Sequence, residues 1–193
     1  MIERMEVIPD RCRACRRCEM ACIAAHHDIS IKEAMKRRDE FVPRVQVIKA
    51  EGLKTSVRCH QCNPAPCCSV CPVGALEQDE EGRINMREEL CIACEMCVKA
   101  CPYGTISLDA SRQTPDDSSL PACQNSGHQV AVRCDMCRQW RAANGKTITA
   151  CMEACPFQAL AMRMPDGTLM EMPSPQPKAK AAEKIKNLEE AGA

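Results

Sequence analysis

Aromatic side chains are almost missing from this chain: Phe41, Tyr103, Trp140 and Phe157 are the four it has in 193 residues. Long apolar runs are missing too, and none approaches the roughly 18 residues that a membrane-spanning helix needs. Formal net charge is zero, with 26 basic side chains against 26 acidic ones. Each absence excludes something. With so few aromatics, and an apolar share of about 36% once cysteine is set aside, the chain cannot fill a large oily core, so packing alone does not organise it. Its basic residues lack interleaved aromatics, which argues against a nucleic-acid groove. No charged-then-apolar leader precedes Cys12, so a soluble cytoplasmic protein is expected, held at a membrane only through partners.

Cysteine is what the chain has in excess. Sixteen of its 18 cysteines fall into four groups: Cys12, Cys15, Cys18, Cys22; Cys59, Cys62, Cys67, Cys71; Cys91, Cys94, Cys97, Cys101; and Cys134, Cys137, Cys151, Cys155. The third reads C-x2-C-x2-C-x3-C-P, the run with which bacterial ferredoxins hold cubane iron–sulfur clusters. Three thiolates within seven residues let one loop wrap a cluster, while the fourth cysteine is carried away on the helix that follows. A disulfide scaffold is disfavoured, because such chains are short and secreted. Zinc prefers two separated C-x2-C pairs per ion, whereas quartets one and three step through three cysteines in succession. Four complete quartets predict four 4Fe–4S clusters, and cluster binding then becomes part of the folding free energy.

The remaining residues fill in an internal repeat. C-P-V-G-A-L-E, C-P-Y-G-T-I-S-L and C-P-F-Q-A-L-A-M follow three of the quartets, each reading as a short turn and then a strand. Strands are also predicted leading into the loops, at 5–8, 55–58 and 130–133, and again at 42–49, with a helix over 29–38 and a hairpin turn around Gly82. The thirteen residues between Cys137 and Cys151 read as a projecting loop turning at Gly145, with Trp140 as a packing residue, a lid over the cluster or a partner contact. Cys68 is read as a spare thiol, because choosing Cys67 keeps the three-residue gap to Cys71. Cys123 is read as incidental, and His26 and His27 as a helix end or a partner surface rather than metal ligands. Arg11, Arg13, Arg16 and Arg17 surround the first quartet, and Arg13, Arg16 and Arg17 are candidates, with Trp140, for docking an acidic partner.

As a set in this order, C-R-A-C-R-R-C-E-M-A-C, C-H-Q-C-N-P-A-P-C-C-S-V-C-P, C-I-A-C-E-M-C-V-K-A-C-P and C-D-M-C ending in C-M-E-A-C-P resemble the four-cluster ferredoxin-like subunits of molybdopterin oxidoreductases and hydrogenases. The dimethyl sulfoxide reductase and formate dehydrogenase iron–sulfur subunits typify that group. Within it, C-R-R-C-E-M-A-C-I-A-A-H-H looks most like the electron-transfer protein that serves carbon monoxide dehydrogenase. The resemblance implies an α+β fold of two nested ferredoxin-like modules, each holding two clusters and having little regular secondary structure. One module would span 1–52 plus 128–165 and the other, inserted, 53–110, with an exposed loop at 109–128 and a tail at 166–193 that is a short helix or disordered. It also implies a pairing: Cys12, Cys15, Cys18 with Cys155; Cys134, Cys137, Cys151 with Cys22; Cys59, Cys62, Cys67 with Cys101; and Cys91, Cys94, Cys97 with Cys71.

The function this implies is electron transfer without bond-making chemistry, from carbon monoxide dehydrogenase to a membrane-bound hydrogenase or another redox acceptor. A subunit of formate hydrogenlyase, of a formate dehydrogenase or of a molybdopterin reductase is the alternative. A redox sensor is a minor one, since it needs an incomplete site and every quartet is complete.

Overall fold

A computed structural model describes residues 2–110 and 129–172. Its elements are short because the cysteine loops interrupt the chain every few residues. Strands β1 (Arg4–Val7), β2 (Val45–Ala50), β3 (Leu53–Arg58), β4 (Leu76–Gln78), β5 (Ile84–Met86), β6 (Ser107–Asp109), β7 (Val130–Val132), β8 (Leu160–Arg163) and β9 (Leu169–Glu171) alternate with helices α1 (Arg17–His27), α2 (Ile31–Lys36), α3 (Pro66–Ser69), α4 (Met96–Ala100), α5 (Arg138–Ala143) and α6 (Ala150–Glu153). This is an α+β arrangement, and all the strand pairings are antiparallel.

The pairings bring distant stretches together. β1 pairs with β8, matching Met5 to Met162 and Val7 to Leu160, and β9 adds to the far side of β8. Helix α1 packs on α6, so the surroundings of quartets one and four are shared. Likewise α3 packs on α4, between quartets two and three. β2 and β3 form a hairpin and β6 pairs with β7, and the boundary expected at residue 52 falls in the turn of the hairpin, where Gly52 takes a φ of 74°. Helix α2 starts as its sequence dictates, with the Ser30 hydroxyl accepting a bond from the Glu33 N–H at 3.1 Å.

Three expectations need correction. The tail does not begin at residue 166: Leu169–Glu171 form β9, paired through Arg163↔Leu169 around a turn at Gly167, and residues 173–193 lie outside the described residues. Asp109 is not in an exposed loop, since it ends β6 and is 1% exposed, ion-paired to His27 at 3.8 Å; residues 111–128 and Cys123 lie outside the described residues. The insertion after Cys137 is partly helical, because R-Q-W-R-A-A forms α5 before the left-handed Gly145 stops it.

The interior is small side chains and sulfur. Its main cluster gathers Cys59, Cys67, Cys91, Cys97, Cys134 and Cys151 with Leu76, Ile106, Met152 and Met162. The aromatics stay outside it: Tyr103 and Phe157 are exposed, Tyr103 stacking on His60, and Trp140 is half-buried against Ala21, Cys137 and Ala150.

Candidate metal centres

The four loops are built on two plans. In quartets one and three a 3-10 turn leads in, closed by the N–H of Cys12 on the Pro9 carbonyl at 3.0 Å and of Cys91 on the Glu88 carbonyl at 3.1 Å. The backbone then goes left-handed twice, at Ala14 and Arg16 and at Ala93 and Glu95, and a helix starts at once. In quartets two and four a strand leads in, and the left-handed residues are Gln61, Met136 and Cys137. None of these residues is glycine, so each left-handed conformation costs about 1–2 kcal/mol. Where a left-handed residue adjoins a right-handed one, successive N–H groups turn to one side and make a concave anion seat. That is what a negatively charged cluster requires.

A third recurring turn follows the last cysteine. The N–H groups of Gly74, Gly104 and Gln158 bond to the carbonyls of Cys71, Cys101 and Cys155 at 3.4, 3.1 and 3.3 Å, and all three are left-handed.

No disulfide links any of the seventeen cysteines among the described residues. Cys22 lies within reach of the charges of Cys137, Cys134 and Cys151. Cys62 feels Cys59, Cys101 and Cys67 in the same way. Cys71, Cys91, Cys94 and Cys97 line one apolar cavity with Leu76 and Leu108. Backbone contacts bring the first loop to Cys155: the Ile8 N–H meets the Ala159 carbonyl at 2.8 Å, Arg11 Nη1 donates to the Gln158 carbonyl at 3.5 Å, and the Ala159 N–H points at Cys155 Sγ at 3.4 Å.

Burial raises seven of these thiols, among them Cys18 and Cys134 to about 12 and Cys97 to about 11. Cys67 goes the other way: the bond from the Cys68 thiol outweighs burial and lowers it to about 6, while the same contact pushes Cys68 up. Further donors aim at sulfur, among them the Arg44 N–H at 3.3 Å from Cys22 Sγ and Gln61 N–H at 3.5 Å from Cys59 Sγ. The donor set, the anion seats and the N–H groups turned to sulfur all fit 4Fe–4S clusters.

Exposure divides the sets. Cys15 and Cys94, the second cysteines of the two loops on the first plan, are exposed; Cys22, Cys134, Cys137 and Cys151 are all buried. Arg13, Arg16 and Arg17 are exposed beside Cys15, and Arg16 faces Glu19 at 3.8 Å. His26 ends α1, touching the Cys22 carbonyl at 2.8 Å and Asp135 at 3.0 Å. Burial opposes ionisation of Asp135, yet the bond and charge of His26, the charge of Arg44 and the Cys137 N–H hold its carboxyl well below the usual range.

Two buried residues were not singled out from the sequence. Arg58 and Arg133 immediately precede the first cysteines of quartets two and four, and are 3% and 4% exposed. The repeated V-R-C-x-x-C, at 57–62 and 132–137, is the signal that marks them.

Residues 58–105 match the 4Fe-4S dicluster domain family, a stretch that takes in quartets two and three. The chain is 40% identical over 157 residues to an iron–sulfur protein of Rhodospirillum rubrum, covering 80% of this chain and 78% of that one. It is 36% identical over 158 residues to the electron transport protein HydN of Escherichia coli K12, covering 78% and 81%. It is also 30% identical over 186 residues to hydrogenase-4 component A of the same organism, covering 86% and 84%. On these likenesses, and on thiols arranged to hold 4Fe–4S clusters, the chain belongs to the family of ferredoxin-like iron–sulfur electron-transfer proteins.

Proposed function

We propose that the protein is a four-cluster electron carrier that takes single electrons from carbon monoxide dehydrogenase and passes them to a membrane-bound hydrogenase or another acceptor, on the cytoplasmic side. Four sets of four cysteines carry this reading, because a fully thiolate-ligated cluster leaves no iron free to bind substrate. The clusters supply one-electron redox chemistry when bound. The chain's residues do the rest: they space the sets, exclude water from the middle ones and aim N–H groups at sulfur.

The sets are those implied by the family resemblance: Cys12, Cys15, Cys18, Cys155; Cys134, Cys137, Cys151, Cys22; Cys59, Cys62, Cys67, Cys101; and Cys91, Cys94, Cys97, Cys71. The neighbours of Cys22 and Cys62 and the cavity lined by Cys71 and the third loop support them. With these sets, the exposed Cys15 and Cys94 belong to different sets, while the set of Cys22, Cys134, Cys137 and Cys151 is wholly buried. A wire needs two accessible ends and a dry middle.

The carbon monoxide dehydrogenase partner is supported by the stretch from Cys15 to His27, and the hydrogenase side by the likeness to hydrogenase-4 component A. Docking is assigned to the exposed Arg13, Arg16 and Arg17, and to Trp140, which is half-buried and packs on α1 and α6. No helix among the described residues is long and apolar enough to cross a membrane, so membrane association would come through the partner.

The test is anaerobic mixing. Alone, the protein should turn over neither carbon monoxide, formate nor hydrogen; with catalytic carbon monoxide dehydrogenase and carbon monoxide its clusters should be reduced within seconds. Reduction should slow as salt rises and when Arg16 and Arg17 are both changed to Gln at unchanged iron content. Salt-insensitive reduction removes the docking role. Reduction by formate and formate dehydrogenase, with none by carbon monoxide, replaces the donor by a molybdopterin enzyme.

A further inference from the structure

Arg58 and Arg133 are buried cations with no carboxylate partner among the described residues, and the Nε of each has no hydrogen-bond partner there. An unpaired buried charge costs several kcal/mol, so an anion is expected against them. The thiolate sets supply it, in a crossed fashion. Arg58 belongs to the quartet-two loop, yet its Nη1 lies 3.9 Å from Cys151 Sγ, and its charge acts on Cys134 and Cys18. Arg133 belongs to the quartet-four loop, yet its Nη1 and the Nε2 of Gln61 share one acceptor, the Cys134 carbonyl, which sets its guanidinium beside the quartet-two loop, where its charge acts on Cys59 and Cys67. Each is fixed in place: Arg58 Nη2 donates to Ser56 Oγ, and Arg133 Nη1 to the Cys134 carbonyl at 2.9 Å. Gln61 closes the same junction, its Nε2 donating to the Cys134 carbonyl at 3.1 Å and its Oε1 accepting from the Ile84 N–H at 3.0 Å.

We propose that Arg58 and Arg133 are crossed tuning residues, each holding a fixed positive charge from one half of the molecule against the cluster set of the other, so that both middle clusters are easier to reduce. The inference rests on the four-cluster reading. Reduction adds one electron and one negative charge to a set, and a guanidinium buried beside it favours the reduced form. Because each arginine leaves its own loop, the two halves must be assembled for the middle potentials to take their final values.

The experiment is a redox titration of the intact protein followed by electron paramagnetic resonance, with iron and sulfide assayed on every sample. Arg58→Gln and Arg133→Gln should each disfavour reduction of one signal by about tenfold or more, which is about 59 mV for one electron. Arg58→Lys and Arg133→Lys should restore most of it. Crossing is read by assignment: Arg133→Gln should move the signal that Cys62→Ser removes or displaces, and Arg58→Gln the one that Cys137→Ser does. Loss of iron from a Gln variant with retention in its Lys counterpart also supports a required charge. Unchanged potentials at full iron content, a shift in the loop's own set, or iron lost equally from Gln and Lys variants would overturn the proposal. A parent protein short of iron would instead overturn the four-cluster reading.

Discussion

Cys67 and Cys68 are adjacent thiols that differ in burial: Cys67 is 6% exposed, whereas Cys68 is half-buried. A metal ligand must be a thiolate. The contact between the two lowers Cys67 and raises Cys68, the direction that favours Cys67 as the thiolate. Spacing in the sequence selects the same residue. Cys68→Ser keeps a hydroxyl donor in that place and should retain the iron content and reducible signals of the parent. Cys67→Ser should lose or convert one cluster, about a quarter of the iron. Cluster loss in the Cys68 variant alone would reverse the choice of ligand. Arg58 and Arg133 show where residue-level reading stops: the repeated V-R-C marks them, but only the folded chain buries both and brings Arg58 Nη1 to 3.9 Å from Cys151 Sγ of another quartet.

At the scale of elements, the turn after the last cysteine does the same work three times with different residues. Gly74 and Gly104 sit at φ of 64° and 59°, and Gln158 at 50°. A Cβ on Gly104 would meet nothing within 4 Å, so Gly104→Ala tests the backbone alone. It should cost about 1–2 kcal/mol, a fall of about 2–4 °C or more in the melting temperature of a chain this size. Gln158→Gly should move the other way by a smaller amount, since glycine regains entropy on unfolding. A fall for Gln158→Gly would mean its side-chain contact outweighs the strain. Strands β1, β3 and β7 and the Gly82 hairpin were legible, because alternating apolar residues or turn chemistry marked them. β9 was not, because L-M-E lies in a polar, proline-rich stretch and is defined by pairing with β8. α5 was readable in principle from R-Q-W-R-A-A before N-G, but its position inside a cysteine insertion favoured a loop.

For the whole molecule, the balance of forces follows from what fills the interior. Fully buried large side chains are few, Ile23, Met152, Met162 and Val130 among them, and the main cluster is threaded with cysteine. Several loop residues hold left-handed conformations that alanine, arginine, glutamine, glutamate and methionine do not favour. A chain with a thin core and strained loops cannot keep that geometry unaided, so cluster binding has to offset the strain. Anaerobically prepared protein should therefore hold about sixteen iron and sixteen sulfide, four of each per complete quartet, with zinc well below one equivalent. Stripping the iron with a chelator under reducing conditions should abolish most of the circular-dichroism signal and raise protease sensitivity throughout the described residues, not only near the removed metal. Reconstitution with iron and sulfide should restore both. Iron near eight with stoichiometric zinc would sink the count of four, whereas a metal-free chain that kept its protection would show that the small apolar interior suffices and that the loops are preformed.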